Sequence, residues 1–234
     1  MAENSRKNEF FERESIAMIA ILAGMLLPAL SSVKETSRTS SCVNNIKSQL
    51  TLDIMYGNDY GDYVTPAMAT ATDKNYASLL ITGYIVPKGV SLTSESSMKK
   101  AGLFVCPSET TPWGHKADKK FPYTHYIRNY KTGDYKNNKN GDRGPIKRSS
   151  IAYPSIFRVT FDSGRLDTPV AGHVPFAFSG SRHKRGKVNK HDTYCKEYIG
   201  GASNMGFLDG HVQTVSNPTV TMSTYKLDDG MKKK

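Results

Sequence analysis

The stretch that decides the fold is Ile16-Ala-Met-Ile-Ala-Ile-Leu-Ala-Gly-Met-Leu-Leu-Pro-Ala-Leu30, fifteen residues without a charge. As a helix it spans ~22 Å, somewhat short of the ~20 residues that cross a bilayer core. A secretory signal also has a short apolar run, here behind Arg6 and Lys7, so the residues after the run decide between signal and anchor. A cleaved signal gives way to small residues and an independent fold. Here the helical pattern continues from Ser31 to Tyr56, with Val43, Ile46, Leu50 and Ile54 recurring every three or four residues as one apolar stripe. Lys34, Glu35, Arg38, Asn44, Asn45, Lys47 and Gln49 fall between them and are expected to face water. Pro28 removes one backbone hydrogen bond and is expected to kink this helix rather than end it. The expectation is one continuous stalk over 16–58, apolar all round at its start and amphipathic later, followed by a head over 59–234.

The head reads as short strands and long loops, with 19 Gly, 11 Pro and 13 Tyr against one Trp. Tyr56-Gly-Asn-Asp-Tyr-Gly-Asp-Tyr63 is a turn-rich break, and a short helix is expected from Asn75 to Leu80, ended by Gly83. Strands are expected at Gly102–Pro107, Tyr123–Tyr130 and Ile156–Asp162, with a weaker edge strand at Val174–Phe178. Residues 131–150 lack periodicity and an apolar anchor, and read as a flexible loop. The strongest local signal is Asn204–Val215, two apolar runs around Asp209-Gly210, a pair suited to a type I′ hairpin turn. The fold class is therefore α+β: a long N-terminal helix packed on a small antiparallel β-rich head.

The net charge of +11 is concentrated in two basic loops, 115–148 and 181–200. His115 to Arg148 holds ten Lys/Arg against three Asp, and Ser181 to Glu197 six against two. Tyr123, Tyr126, Tyr130 and Tyr135 interleave the first of these, a mixture that suits stacking plus phosphate contacts. No recognised nucleic-acid module accompanies them. Three cysteines cannot all pair with one another. Cys42 with Cys106 is one candidate disulfide, which leaves Cys195 a free thiol, and spacing alone does not fix the pairing.

Candidate chemistry is sparse. His183, Asp209 and His211 are residue types that serve hydrolases or zinc sites, yet there is no G-x-S-x-G elbow and no H-E-x-x-H. Asp209 and His211 are explained as turn former and strand start, so no catalytic activity is expected. Asn58, Asp59 and Asp62 offer oxygens in one turn, but three hard ligands fall short of the six to eight calcium takes. The expected cofactor is none, with calcium at that turn the one weak candidate.

Ile19–Leu30 followed by Ser41-Cys-Val-Asn-Asn-Ile-Lys47 resembles the N-terminal helix of type IV pilin-like proteins, most closely the major, G-type pseudopilins of type II secretion. Phe207-Leu-Asp-Gly-His-Val212, Arg182-His183, Cys106-Pro107 and Tyr153-Pro-Ser155, followed by Phe161-Asp-Ser163, resemble islands of that family's head, in the same order. In the family, a leader ending in Gly is removed to expose a methylated Phe, with a Glu four residues on. Here Phe10 matches that Phe, Glu9 stands in place of the Gly, and Glu12 or Glu14 stands near the place of the Glu. Residues 1–15 thus resemble a degenerate prepilin leader, and a Lys-rich insertion over 184–200 holding Cys195 lengthens the gap between His183 and Asp209. The resemblance implies a non-enzymatic filament subunit. Its apolar helix would sit in a bacterial inner membrane with the head outside the cytoplasm. Its partners would be like subunits, secretion machinery and lipid. The alternative is an anchored cationic module that binds anionic polysaccharide or DNA at the basic loops. A third and weaker reading is a metal-dependent hydrolase using His183 and Asp209.

Overall fold

The structure is a computed structural model that describes residues 2–68, 75–85, 102–112, 116–119, 124–133, 144–164, 166, 170–171, 181–184 and 186–216. Helix α1 runs Ala2–Asp59 and passes through Pro28. Residues 2–15 are thus backbone-continuous with the stalk, and the helix ends at Asp59, one residue past the expected 58. By compactness the chain divides into Met1–Ser37 and Arg38–Lys234, so the later portion of α1 belongs to the same unit as the sheet.

Within that second unit, α1 lies on a five-stranded sheet built from β1 (Tyr126–Asn129), β2 (Arg158–Asp162), β3 (Val170–Ala171), β6 (Ala202–Phe207) and β7 (Val212–Ser216). Its order is β3-β1-β2-β6-β7, antiparallel except for the short β1/β3 pair. The remaining strands, β4 (Lys187–His191) and β5 (Lys196–Ile199), form a separate antiparallel ribbon. The class is α+β, as expected.

One side of the sheet buries Cys42, Ile46 and Leu50 of α1 against Tyr126, Phe157, Val159 and Leu208. Ile127, Phe161, Met205 and Phe207 form a second cluster. Val159 and Phe161 sit two apart yet join different clusters, because the β2/β6 register shifts between Arg158 and Thr160, as a bulge does. Helix α2 (Tyr76–Tyr84) starts at Asn75, whose side chain accepts the Ser78 N–H, and packs Tyr76, Leu80 and Ile81 against Phe104 near the C-terminal end of α1.

Several expectations change. The buried face of α1 is not the purely apolar stripe: Cys42, Ile46, Gln49, Leu50 and Asp53 are buried, whereas Ile54 is exposed. Asn45 and Gln49 turn inward, donating to the Val105 and Leu103 carbonyl oxygens at 2.9 and 2.6 Å. These carbonyls belong to Gly102–Phe104 and the residue after it, which form a 3-10 turn instead of a strand, so their backbone groups need side-chain partners. In the second half of the expected 131–150 loop, Ile146 packs against the core and Lys147 bridges Tyr63. The basic segment 181–200 is not a loop but carries the β4/β5 ribbon. The hairpin turn also differs. Gly210 N–H donates to Phe207 O and Phe207 N–H to His211 O, giving a three-residue loop, Leu208-Asp209-Gly210, in which Gly210 alone has positive φ, at 95°. Such a loop is a type I turn closed by a left-handed residue, and a two-residue I′ turn would need Asp209 there as well. The expected Val174–Phe178 strand lies outside the described residues.

Close approach of α1 depends on Gly206. A Cβ there would meet Ile46 Cγ2 at 2.6 Å, Leu50 Cδ1 at 3.0 Å and the Thr160 carbonyl oxygen at 3.3 Å. Gly206→Ala is expected to destabilise the head by about 1–3 kcal/mol through overpacking, read by urea unfolding of the full chain in detergent. The double variant Gly206→Ala/Ile46→Ala, which removes the Ile46 Cγ2 methyl, should lose less stability than the two single variants added together, whereas additive losses would place the strain elsewhere.

Candidate functional site

Two features are candidates for function, and each is built from α1. The first is its opening segment. Every residue from Ile16 to Lys34 is exposed, including Ile16 at 66%, Leu22 at 62% and Met25 at 72%. Ile16–Val33 holds no Asp, Glu, Lys or Arg. A helix that is apolar on all sides needs lipid or other helices around it, since a single water-facing side would require a polar face. Among the described residues α1 is the one helix long and apolar enough to cross a membrane.

The second feature lies where α1 enters the head. Cys42 and Cys106 are disulfide-bonded, with Cα atoms 5.4 Å apart across 64 residues of sequence. His183, fully buried, brings Nε2 to 3.7 Å from Cys106 Sγ and 3.2 Å from Asp162 Oδ2, while its Nδ1 lies 3.3 Å from Thr39 Oγ1. Thr39 and Cys42 are one turn apart on α1, so both face this cluster. Asp162 ends β2 and also accepts the Asn204 N–H of β6 at 2.7 Å. The Sγ atoms of Cys42 and Cys106 and a ring nitrogen of His183 lie within 4.8 Å of one another.

Around this cluster the charges are paired in the interior. Glu109 contacts Arg182 at 3.0 Å and Lys196 at 2.8 Å, and accepts the Tyr198 hydroxyl at 2.7 Å. Arg182 also donates to the Ser163 carbonyl. The ribbon β4/β5 therefore delivers Lys196 and Tyr198 to a buried carboxylate, which is why residues 181–200 fold as a ribbon despite their charge. Burial works to raise the Glu109 carboxyl, but Arg182 and Lys196 override it and hold the group at about 2. His125 accepts the Cys106 N–H on Nδ1 at 3.0 Å. Burial, with the Arg182 charge nearby, pushes its imidazole down to about 3.

Farther along α1, Asp53 Oδ1 meets Arg128 at 2.5 Å and accepts the Thr65 N–H at 3.0 Å, while Oδ2 meets Arg148 at 3.2 Å. None of Asp53, Arg128, Glu109 or Lys196 stood out as a site residue in the sequence, and Asp162 did so only within the Phe161-Asp-Ser163 island of the resemblance. One signal was present: Asp53 falls in register with Ile46 and Leu50, a carboxylate on the buried side of an amphipathic helix.

The residues that did stand out are separated. His183 is buried against Asp162, whereas Asp209 is at the exposed hairpin tip, its Oδ1 2.6 Å from His211 Nδ1. Asp209 and His211 thus meet each other, because the three-residue loop turns both to one side. Hydrogen bonds from His211 hold the Asp209 carboxyl low against the opposing effect of its slight burial. Asp59 accepts the Tyr84 hydroxyl at 2.8 Å, and Asp62, at φ 71°, accepts the Ser149 N–H at 3.0 Å, so the acidic turn beside Asn58 staples neighbouring segments. Tyr126 is fully buried and offers no stacking face, and Tyr130 is half-buried. Tyr123 and Tyr135 lie outside the described residues, as do the side chains of Glu9, Phe10, Glu12 and Glu14. Comparison with family models, curated proteins and solved structures finds no match. The architecture, a long helix that is apolar at its start and packs on a small, largely antiparallel sheet, is pilin-like.

The buried titrating groups set a pH window. Unfolding frees His125 to take up a proton below 6.5 that the folded head accepts only near 3, so stability falls as pH drops through that interval. Glu109 adds stability that is complete above 4.5 and lost as pH falls towards about 2. The thermal midpoint is expected to be flat above pH 7 and to decline from 6.5 downwards. His125→Gln, which can still accept the Cys106 N–H, should flatten the profile between 6.5 and 4.5; an unchanged profile in that variant would remove His125 as the cause.

Proposed function

We propose that this chain is a non-enzymatic structural subunit of a type II secretion pseudopilus or related type IV filament, anchored in a bacterial inner membrane before assembly with its head outside the cytoplasm. The observation that carries the reading is α1 itself. Ile16–Val33 exposes apolar side chains in every direction, while the same helix from Arg38 onward is built into the core of the head. In a membrane the opening segment is solvated by lipid. In a filament the same side chains pack on the equivalent segments of like subunits, the exchange that lets an anchored subunit become a fibre. The Cys42–Cys106 bond supports an oxidising compartment for the head.

The anchored cationic module has less support. Arg128, Arg148, Arg182 and Lys196, four of the cations that give the two basic segments their charge, point inward to Asp53 and Glu109.

Leu22→Arg places a charge in the middle of the apolar segment, at an insertion cost of about 2.5–3.5 kcal/mol. It should shift the chain from the membrane to the soluble fraction and abolish cross-linking between like subunits, with the thermal midpoint of the head unchanged. Mass spectrometry of the mature chain should find a methylated N-terminus at Phe10. A chain that keeps Met1 and stays monomeric and soluble without detergent would overturn the proposal.

A further inference from the structure

The cluster at the entry of α1 has a geometry that a plain disulfide does not require. His183 Nε2 stands 3.7 Å from Cys106 Sγ and 3.2 Å from Asp162 Oδ2. In a tetrahedral zinc site, bond lengths of about 2.3 Å to sulfur and about 2.0–2.1 Å to nitrogen and oxygen make the S···N edge about 3.6 Å and the N···O edge about 3.3 Å. Both of these edges of such a tetrahedron are thus already present. Cys42 Sγ belongs to the same group, whose Cys and His ligand atoms lie within 4.8 Å of one another. With Cα atoms 5.4 Å apart, rotation about χ1 is enough to move the free sulfurs to a separation of about 3.8 Å, as a zinc-bound pair needs.

Two further observations point to a cation. Asp162 is fully buried: its Oδ2 faces His183 and accepts the Asn204 N–H, and its Oδ1 has no hydrogen-bond partner among the described residues, an expensive arrangement for a carboxylate oxygen that a cation would relieve. His183 has its other ring nitrogen, Nδ1, beside Thr39 Oγ1 at 3.3 Å. That is the outer hydrogen bond by which a metal-bound imidazole is held in one tautomer and one ring orientation. Two thiolates and one carboxylate around zinc leave one negative charge, and Arg182 lies within electrostatic reach of Asp162 to offset it. Thiolate, imidazole and carboxylate together suit zinc rather than magnesium or calcium.

We propose that, before the Cys42–Cys106 bond closes, Cys42, Cys106, His183 and Asp162 form a zinc site that pins α1 to the head, and that forming the disulfide expels the metal. In the reduced state His183 carries its proton on Nδ1, donates it to Thr39 Oγ1, and binds zinc through Nε2. Closure is a two-electron oxidation of the two thiolates by an external disulfide. The new Cys42–Cys106 bond forms as the external S–S bond breaks, that reagent takes up two electrons and two protons to become two thiols, and zinc leaves as the dication. His183 then turns its proton to Nε2 and Asp162. The same four residues thereby hold the head on α1 in the reducing compartment where the chain is made and in an oxidising one.

The test uses the full chain in detergent, reduced with a phosphine under anaerobic conditions and loaded with zinc or cobalt alone. One zinc per reduced chain and none per oxidised chain is expected, and cobalt should give the charge-transfer bands of two thiolates with the d–d bands of a tetrahedral centre. His183→Gln and Asp162→Asn should each weaken zinc by at least about tenfold in chelator competition, while Cys195→Ser binds as the parent does. Thermal unfolding of each oxidised variant, recorded alongside, separates loss of a ligand from loss of the fold. If a variant does not fold, the cobalt spectrum of the parent chain decides by itself. A reduced chain that takes up no metal, a spectrum of fewer than two sulfurs, or a site that survives His183→Gln but not Cys195→Ser would overturn the proposal.

Discussion

The head depends on one buried charge. Asp53 lies on the inner side of α1, and its carboxylate is met by Arg128 from β1, by Arg148 from the segment before β2 and by the Thr65 N–H from the chain leaving the helix. A carboxylate in such a place is tolerable only when its oxygens are filled, and a lone removal leaves the partner charged and dry at a cost of about 3–5 kcal/mol. Three separate pieces of chain are therefore tied to a single point on the helix. Arg128 carries the constraint onward, through Thr160 Oγ1 on β2 and the Tyr76 ring on α2.

From that point the rest of the packing is ordered along α1. One turn or two back, Leu50 and Ile46 press on Gly206, and the absence of a side chain there sets how near the helix lies to β6. Farther back still, Cys42 is bonded to Cys106, and Thr39 reaches His183. The helix is thus fixed by an ion cluster near its C-terminal end, a close apolar contact in the middle and a covalent bond at its entry to the head. Residues before Arg38 lie outside this compact unit, and the apolar side chains of Ile16–Val33 are left exposed.

The interior also explains the basic composition. Charge runs around Arg128, Arg148, Arg182 and Lys196 read along the chain as solvent-facing loops, yet these cations are counter-ions for Asp53 and Glu109, which lie from 73 to 95 residues away. Nothing local marks such a pairing, since a buried arginine and an exposed one have the same neighbours in sequence. The hairpin shows the reverse situation. Asp209-Gly210 was legible as a turn because the turn chemistry is local, and only its length depended on the β6/β7 register, which pairs Gly206 with Val212.

The sequence by itself determined the long helix, its uncharged start, the α+β class and the final hairpin, because each rests on periodicity or on the backbone preferences of neighbouring residues. Tertiary structure alone decided that Asn45 and Gln49 turn to the buried face of α1 beside Asp53, and that the Lys-rich segment folds as a ribbon over Glu109. It also decided that His183 faces Asp162 and Cys106 rather than Asp209. The physical reason is the same in each case. Desolvated polar groups are stabilised by partners distant along the chain, and the distance between such partners exists only once the sheet has been assembled.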